Sequence, residues 1–216
     1  MSRPELEATL AAGIRALGLD LAPAQRGQLL DHLDLMRKWT WVYNLTAVRD
    51  PQQMLVQHLL DSLAVVAPLR RHTDGAPAAL LDVGSGAGLP GVVIAICCPE
   101  LKVDCVDTVA KKAAFVQQVA ATLRLPNLRG LHERVERLAG PYDVITSRAF
   151  ASLPDFVSWS VAALAPQGVW MAMKGRHPEE EIAALPPEVE MFHVEQLRVP
   201  NLDAERCLVW MRRRGG

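Results

Sequence analysis

The stretch Leu80-Leu81-Asp82-Val83-Gly84-Ser85-Gly86-Ala87-Gly88-Leu89-Pro90-Gly91 limits this chain more than any other. A short apolar run ends in a glycine-rich turn, and the turn opens a helix. Glycine lacks the Cβ that would keep a ligand away from the backbone. In open α/β sheets, ligands lie beyond the carboxyl ends of the strands, where the strand order reverses. A bare strand-to-helix turn needs fewer glycines, so the loop is read as a ligand cradle. Two ligands fit the letters. Gly86 to Gly91 spells GxGxxG, the dinucleotide fingerprint. Asp82, Gly84, Gly86 and Gly88 spell DxGxGxG, the pattern of S-adenosylmethionine-dependent methyltransferases. Asp82 favours the second, because a carboxylate there would face a cationic amino-acid group and repel a pyrophosphate. Asp107, at the end of the next strand, can accept hydrogen bonds from ribose hydroxyls in either case.

The rest of the chain supplies the setting. Residues 4–75 read as helical, with helices opening at Pro4, Pro23 and Pro51, a break over Asn44–Asp50, and a turn-rich linker over Arg71–Pro77. From residue 76 strands and helices alternate. Strands are expected at 79–83, 102–107, 128–131, 142–146, 169–173, 189–199 and 206–212, the last two as an antiparallel pair. Helices are expected at 89–97, 110–123, 153–164 and 179–185. This predicts a Rossmann-like α/β core over 76–216 with a mostly parallel seven-stranded sheet and helices on both faces, preceded by a helical extension over 1–75. At 216 residues and 50% hydrophobic, the chain can bury such a core without disulfides or metals. No apolar run is long enough to cross a bilayer. The first ten residues carry Glu5 and Glu7 and lack the basic start of a signal peptide. A cytoplasmic, monomeric protein with no membrane partner is expected. The four cysteines form no CxxC pair, so no metal site is expected.

Further positions can complete a pocket. Glu133, Val135 and Glu136 follow the third strand, where a side chain or backbone N–H can meet adenine. Ser147-Arg148-Ala149-Phe150 follows the fourth, where methyltransferases hold the acceptor. Neither an Asn/Asp-Pro-Pro-aromatic motif nor a Pro-Cys nucleophile is present, which argues against exocyclic amines and pyrimidine carbons as acceptors. Arg148 suits a phosphate, an electron-rich acceptor or a salt bridge. His58 and Asp61 lie one helical turn apart and share a face, as a structural pair or as pocket wall. No catalytic base stands out. A net charge of −1 gives no general affinity for nucleic acid.

With these residues in view, the chain resembles the RsmG (GidB) family of 16S ribosomal RNA guanine-N7 methyltransferases. The resemblance runs from about Trp41 onward, through Asn44–Asp50, His58–Ser62, Asp82–Gly91, Arg134-Val135-Glu136, Ser147–Ala151 and Lys174-Gly175. It implies a class I methyltransferase fold, S-adenosyl-L-methionine as cofactor, and 16S ribosomal RNA or the assembling small ribosomal subunit as partner, with the guanine at RNA position 527 as acceptor. By the same resemblance Gly84 and Leu89 line the cofactor pocket beside Asp82, Gly86, Gly88 and Asp107. Val135 and Glu136 flank the adenine, and Arg148 closes the site as a further cofactor-binding residue. Asn44, Arg49, Arg148, Lys174 and Arg176 are the expected RNA contacts. Guanine N7 carries a lone pair and no proton, so a missing general base suits this acceptor. An NAD-dependent oxidoreductase and a non-catalytic ribosome-binding module are the alternatives.

Overall fold

The computed structural model describes residues 2–215. Seven strands, β1 (Ala79–Val83), β2 (Lys102–Asp107), β3 (Leu128–His132), β4 (Tyr142–Arg148), β5 (Leu164–Lys174), β6 (Val189–Leu197) and β7 (Arg206–Arg213), form one sheet in the order β3-β2-β1-β4-β5-β7-β6. All neighbouring pairs are parallel except β5 with β7 and β6 with β7. The chain runs outward from β1 to β3, then returns to place β4 on the other side of β1. The sheet therefore has its switch point between β1 and β4, where Val83 pairs with Ser147. That register sets Gly84 and Arg148 side by side at the carboxyl edge, where α/β sheets bind ligands.

Successive strand residues feed opposite cores, as the two-residue period requires. Leu80, Val103, Val144, Met171 and Leu208 pack on one face; Leu81, Val106, Ile145, Trp170 and Val209 on the other. The first face is covered by α1 (Arg3–Ala16), α2 (Pro23–Tyr43), α6 (Gly91–Cys97), α7 (Ala110–Thr122) and the helical run between α2 and β1. On the second face lie α8 (Leu153–Ser160) and α9 (Glu179–Ala183). The N-terminal helices are thus part of the main hydrophobic core. Side chains on α2 fasten them to it: Gln25 Nε2 donates to Ile96 O (2.8 Å), Gln28 Nε2 donates to Leu123 O (3.0 Å), and buried His32 holds Ala87 O with Nε2 (3.1 Å). Burial pushes His32 down to about 4, so the imidazole bracing the glycine loop is neutral.

The helix expected from Pro51 to Val66 consists of α3 (Pro51–Met54), a π-helical stretch over Leu55–Leu60, α4 (Asp61–Leu63) and then α5 (Val66–Thr73). The wider turn brings Gln57, His58 and Asp61 onto one cavity wall. The expected linker starts too early, because α5 runs through Arg71–Thr73 and stops at Asp74, which takes a left-handed conformation (φ 50°). The helix expected to reach Leu164 ends with α8 and a 3-10 turn over Val161–Ala163, and Leu164 already belongs to β5. Among the described residues no helix is long and apolar enough to cross a membrane, and no group of His, Cys, Asp or Glu is arranged to hold a metal ion.

Candidate active site

The glycine loop lies over the end of β2. Gly84 N and Ser85 N donate to Val106 O (2.9 and 3.2 Å), and Gly86 N donates to Asp107 Oδ2 (3.1 Å). Gly84, Gly86 and Gly88 all have positive φ. Two of them matter for a ligand. A Cβ on Gly84 would run into the Phe150 ring, whereas one on Gly86 would meet nothing nearer than Gly84 O at 4.0 Å and would project into the open site.

Two cavities meet at this loop, sharing Gly84 and Ala149. The second, about 390 Å³, runs over the ends of β1, β2 and β3. Asp107 forms its polar end, Val109, Val135, Phe150 and Trp159 its apolar walls, and Glu133 and Glu136 its rim. Phe150 and Trp159 meet edge to face at 5.8 Å. The dimensions and polar groups suit a nucleoside: flat apolar walls for a base, and the Asp107 carboxylate to accept from ribose hydroxyls. The first cavity, about 510 Å³, opens between β4, β5, β7 and the π-helical stretch. Its charged lining is Arg148, Lys174 and Arg206 against Asp61 alone.

Asp61, buried, joins the two arginines. Arg148 Nη1 donates to Asp61 Oδ2 (3.1 Å) and to Gln57 O (2.8 Å), and Arg206 Nε donates to Asp61 Oδ1 (2.8 Å). Both Arg148 bonds use Nη1, and the edge formed by Nε and Nη2 has no hydrogen-bond partner among the described residues. His58 shares the wall, with Nε2 2.9 Å from Thr46 Oγ1. Burial, reinforced by the nearby Arg148 cation, pushes His58 down to about 4, so it too is neutral at physiological pH.

Most of the residues marked from sequence converge here. Gly84, Gly86, Leu89, Arg148 and Lys174 line the first cavity; Gly84, Asp107, Val135 and Glu136 line the second. Gly88 shapes the loop from below, with a Cβ there blocked by Val92. Asp82 requires a correction. Its side chain is fully buried and does not face a ligand: Oδ2 accepts from Gly91 N (2.7 Å), and Oδ1 has no partner among the described residues. It fastens the loop to the start of α6. Lys174 is already held by Glu181 (2.7 Å) and Ala151 O (2.9 Å). Asn44, Arg49 and Arg176 stand outside both cavities. Arg206 had no sequence signal: it opens the last strand and meets Asp61 across 145 positions.

Burial raises Asp82 to about 7, well above its ordinary 3.8. Between those values the folded chain keeps a proton that the unfolded chain has released, so stability falls as pH rises through that window and is level above it. Asp82→Asn keeps an acceptor for Gly91 N and removes the titration. Its stability relative to the parent should therefore grow by about 1.4 kcal/mol per pH unit across the window. Urea unfolding of both proteins at pH 5, 6, 7 and 8 measures this, and a constant difference would show that Asp82 does not titrate there.

The sheet order, the glycine cradle at its switch point and the nucleoside-shaped cavity over β2 and β3 define the class I methyltransferase fold. Solved structures agree on the fold. The chain superposes on magnesium protoporphyrin IX methyltransferase from Synechocystis PCC 6803 with bound SAM at a TM-score of 0.60, with 15% identity, over 84% of this chain and 97% of that one. For the N-methyltransferase NodS from Bradyrhizobium japonicum WM9 with S-adenosylhomocysteine the TM-score is 0.59, with 16% identity, over 82% and 98%. The chain belongs to the GidB family, rRNA small subunit methyltransferase G, whose profile matches residues 25–209. Among its relatives, ribosomal RNA small subunit methyltransferase G of Paracidovorax citrulli (strain AAC00-1) is 68% identical over 98% of this chain and 91% of that protein. The protein of the same name from Acidovorax ebreus (strain TPSY) is 66% identical over 98% and 97%. Membership of a methyltransferase family sets the oxidoreductase alternative aside.

Proposed function

We propose that the protein transfers a methyl group from S-adenosyl-L-methionine to N7 of a guanine in 16S ribosomal RNA, presented as RNA or in the assembling small subunit. The observation that carries this reading is the pair of cavities joined at Gly84 and Ala149, one shaped for a nucleoside and the other rich in cations. The relatives described above bear the name ribosomal RNA small subunit methyltransferase G, which supports the RNA as acceptor.

Asp107 would hold the ribose hydroxyls, while Val135, Glu136 and Phe150 would enclose the adenine. The backbone of Gly84–Gly86 would carry the amino-acid end. S-adenosylmethionine supplies a methyl group already activated as a sulfonium. What the chain must add is alignment of acceptor and methyl carbon at near-attack distance. Guanine N7 offers an in-plane lone pair and loses no proton, so neutral His58 need not act as a base. The free edge of Arg148 can grip the base oxygen or phosphate of the acceptor nucleotide, and Arg206 steadies that grip through Asp61. Arg176, which is exposed, would add a phosphate contact.

The test is tritium transfer from labelled cofactor to small subunits, and to their naked RNA, taken from a strain lacking the modification, followed by mapping of the labelled base. Label in 7-methylguanosine of the small-subunit RNA is expected. Cofactor binding without transfer to either substrate would favour a non-catalytic ribosome-binding module.

A further inference from the structure

The last turn of α2 carries large side chains that the core does not use. Trp39 points inward and meets Phe115 edge to face at 5.2 Å, and the Tyr43 ring leans on it at 4.9 Å. Trp41 points away from the protein and is 78% exposed, next to exposed Val42. The Arg49 guanidinium stands over the Trp41 ring, 5.6 Å from its centroid. Arg49 is fixed there by Asn44, whose Oδ1 accepts from Nη2 at 3.1 Å and whose left-handed backbone (φ 50°) ends the helix. Nearby carboxylates are engaged elsewhere: Asp34 with Arg3 and Arg37, and Asp50 as the N-cap of α3 through Gln53 N. Among the described residues no carboxylate forms an ion pair with the Arg49 guanidinium. The same segment runs on into Leu45 and Thr46, which line the acceptor cavity.

We propose that Trp41 and Arg49 form a stacking platform for an unpaired base of the RNA beside the acceptor nucleotide, an inference that rests on the function proposed above. A bare apolar patch would suit many partners. A tryptophan face with a fixed cation and an amide beside it matches an unstacked base with its phosphate, because the ring takes the π face and the guanidinium the charge. The platform is sequence-tolerant, since every base has such a face. Its place outside the cavity suits a neighbour of the target.

Steady-state transfer to unmodified small subunits tests this with three variants. Trp41→Ala should raise KM for the particle roughly tenfold, within the range of single base–aromatic stacks, and leave kcat and cofactor affinity unchanged. Trp41→Tyr should recover most of the loss, and Trp41→Leu, which keeps apolar area without a π face, should not. An unchanged KM in Trp41→Ala, or full recovery with leucine, would overturn the platform, the latter pointing to an apolar protein contact instead. Fluorescence gives a separate reading: oligoadenylate should quench the parent more than Trp41→Tyr, and equal quenching would count against the platform. If the parent transfers no methyl group to any RNA, the functional reading has failed, while the quenching still reports on Trp41.

Discussion

Alanine at position 84 will cost the protein most of its affinity for S-adenosylmethionine, at least about a hundredfold, or ~2.7 kcal/mol. Two separate penalties act at this residue. Gly84 has φ 67°, in a region that a residue with a Cβ enters at a cost of roughly 1–2 kcal/mol. The added carbon would also strike the Phe150 ring. That ring cannot swing away freely, because it packs edge to face on Phe156 (6.4 Å) and Trp159 (5.8 Å). Displacing it deforms the apolar wall of the nucleoside cavity, and shifting the backbone instead disturbs the Gly84 N bond to Val106 O. Gly84 lines both cavities, so neither adjustment spares the site. Calorimetric titration with the cofactor reads the affinity, and thermal unfolding reads the strain, expected at roughly 3–8 °C. Gly84→Ala/Phe150→Ala relieves the clash but not the dihedral, and so separates the two. Cofactor affinity unchanged in the single variant would mean that the loop is not the cradle.

This loop was legible because its signals are local. A buried strand, a run of alternating glycines and an apolar helix follow one another within a dozen residues, and each fixes its own backbone. The seven strands were legible for the same reason, since burial on two faces writes itself as short apolar runs between turn residues. What the sequence hides is set by distant partners. Asp82 looked like a ligand group by its place before the glycines, yet its direction depends on Gly91 N, nine residues on, and on the packing that shuts it away from the cavities. Lys174 is an expected RNA contact, but α9 sets Glu181 beside it. The polar run Arg71-His72-Thr73 read as a linker, but it continues α5, with the His72 ring packed on Trp210 of β7 at 4.9 Å. Arg206 reaches the first cavity only because β7 inserts between β5 and β6, a topological fact with no local trace.

That long-range cluster makes Arg148 the second position of large effect. Arg148→Ala is expected to slow methyl transfer roughly 100- to 1,000-fold, the range seen when a single positioned donor is removed from a reacting centre. Cofactor binding should fall less than transfer, because Arg148 shares the first cavity with Gly84–Gly86, where the amino-acid end is proposed to lie, but does not line the cavity suited to the nucleoside. The structural confound is Asp61. Removing one partner of a buried ion pair costs about 3–5 kcal/mol when the other charge is left alone. Here Asp61 keeps Arg206 at 2.8 Å, so the stability loss should fall well below that range. Arg148→Lys separates charge from shape: an ammonium can still meet Asp61 but cannot also offer a planar two-donor edge to the RNA, so transfer should recover only in part. The salt dependence of RNA binding then says what the free edge grips. A phosphate contact lowers the slope of log K against log salt by about one in Arg148→Ala, whereas a contact to the guanine oxygen leaves it unchanged. Transfer by Arg148→Ala at the parent rate, in a protein that still melts cooperatively, would remove the acceptor role from this arginine and leave it only the ion pair with Asp61.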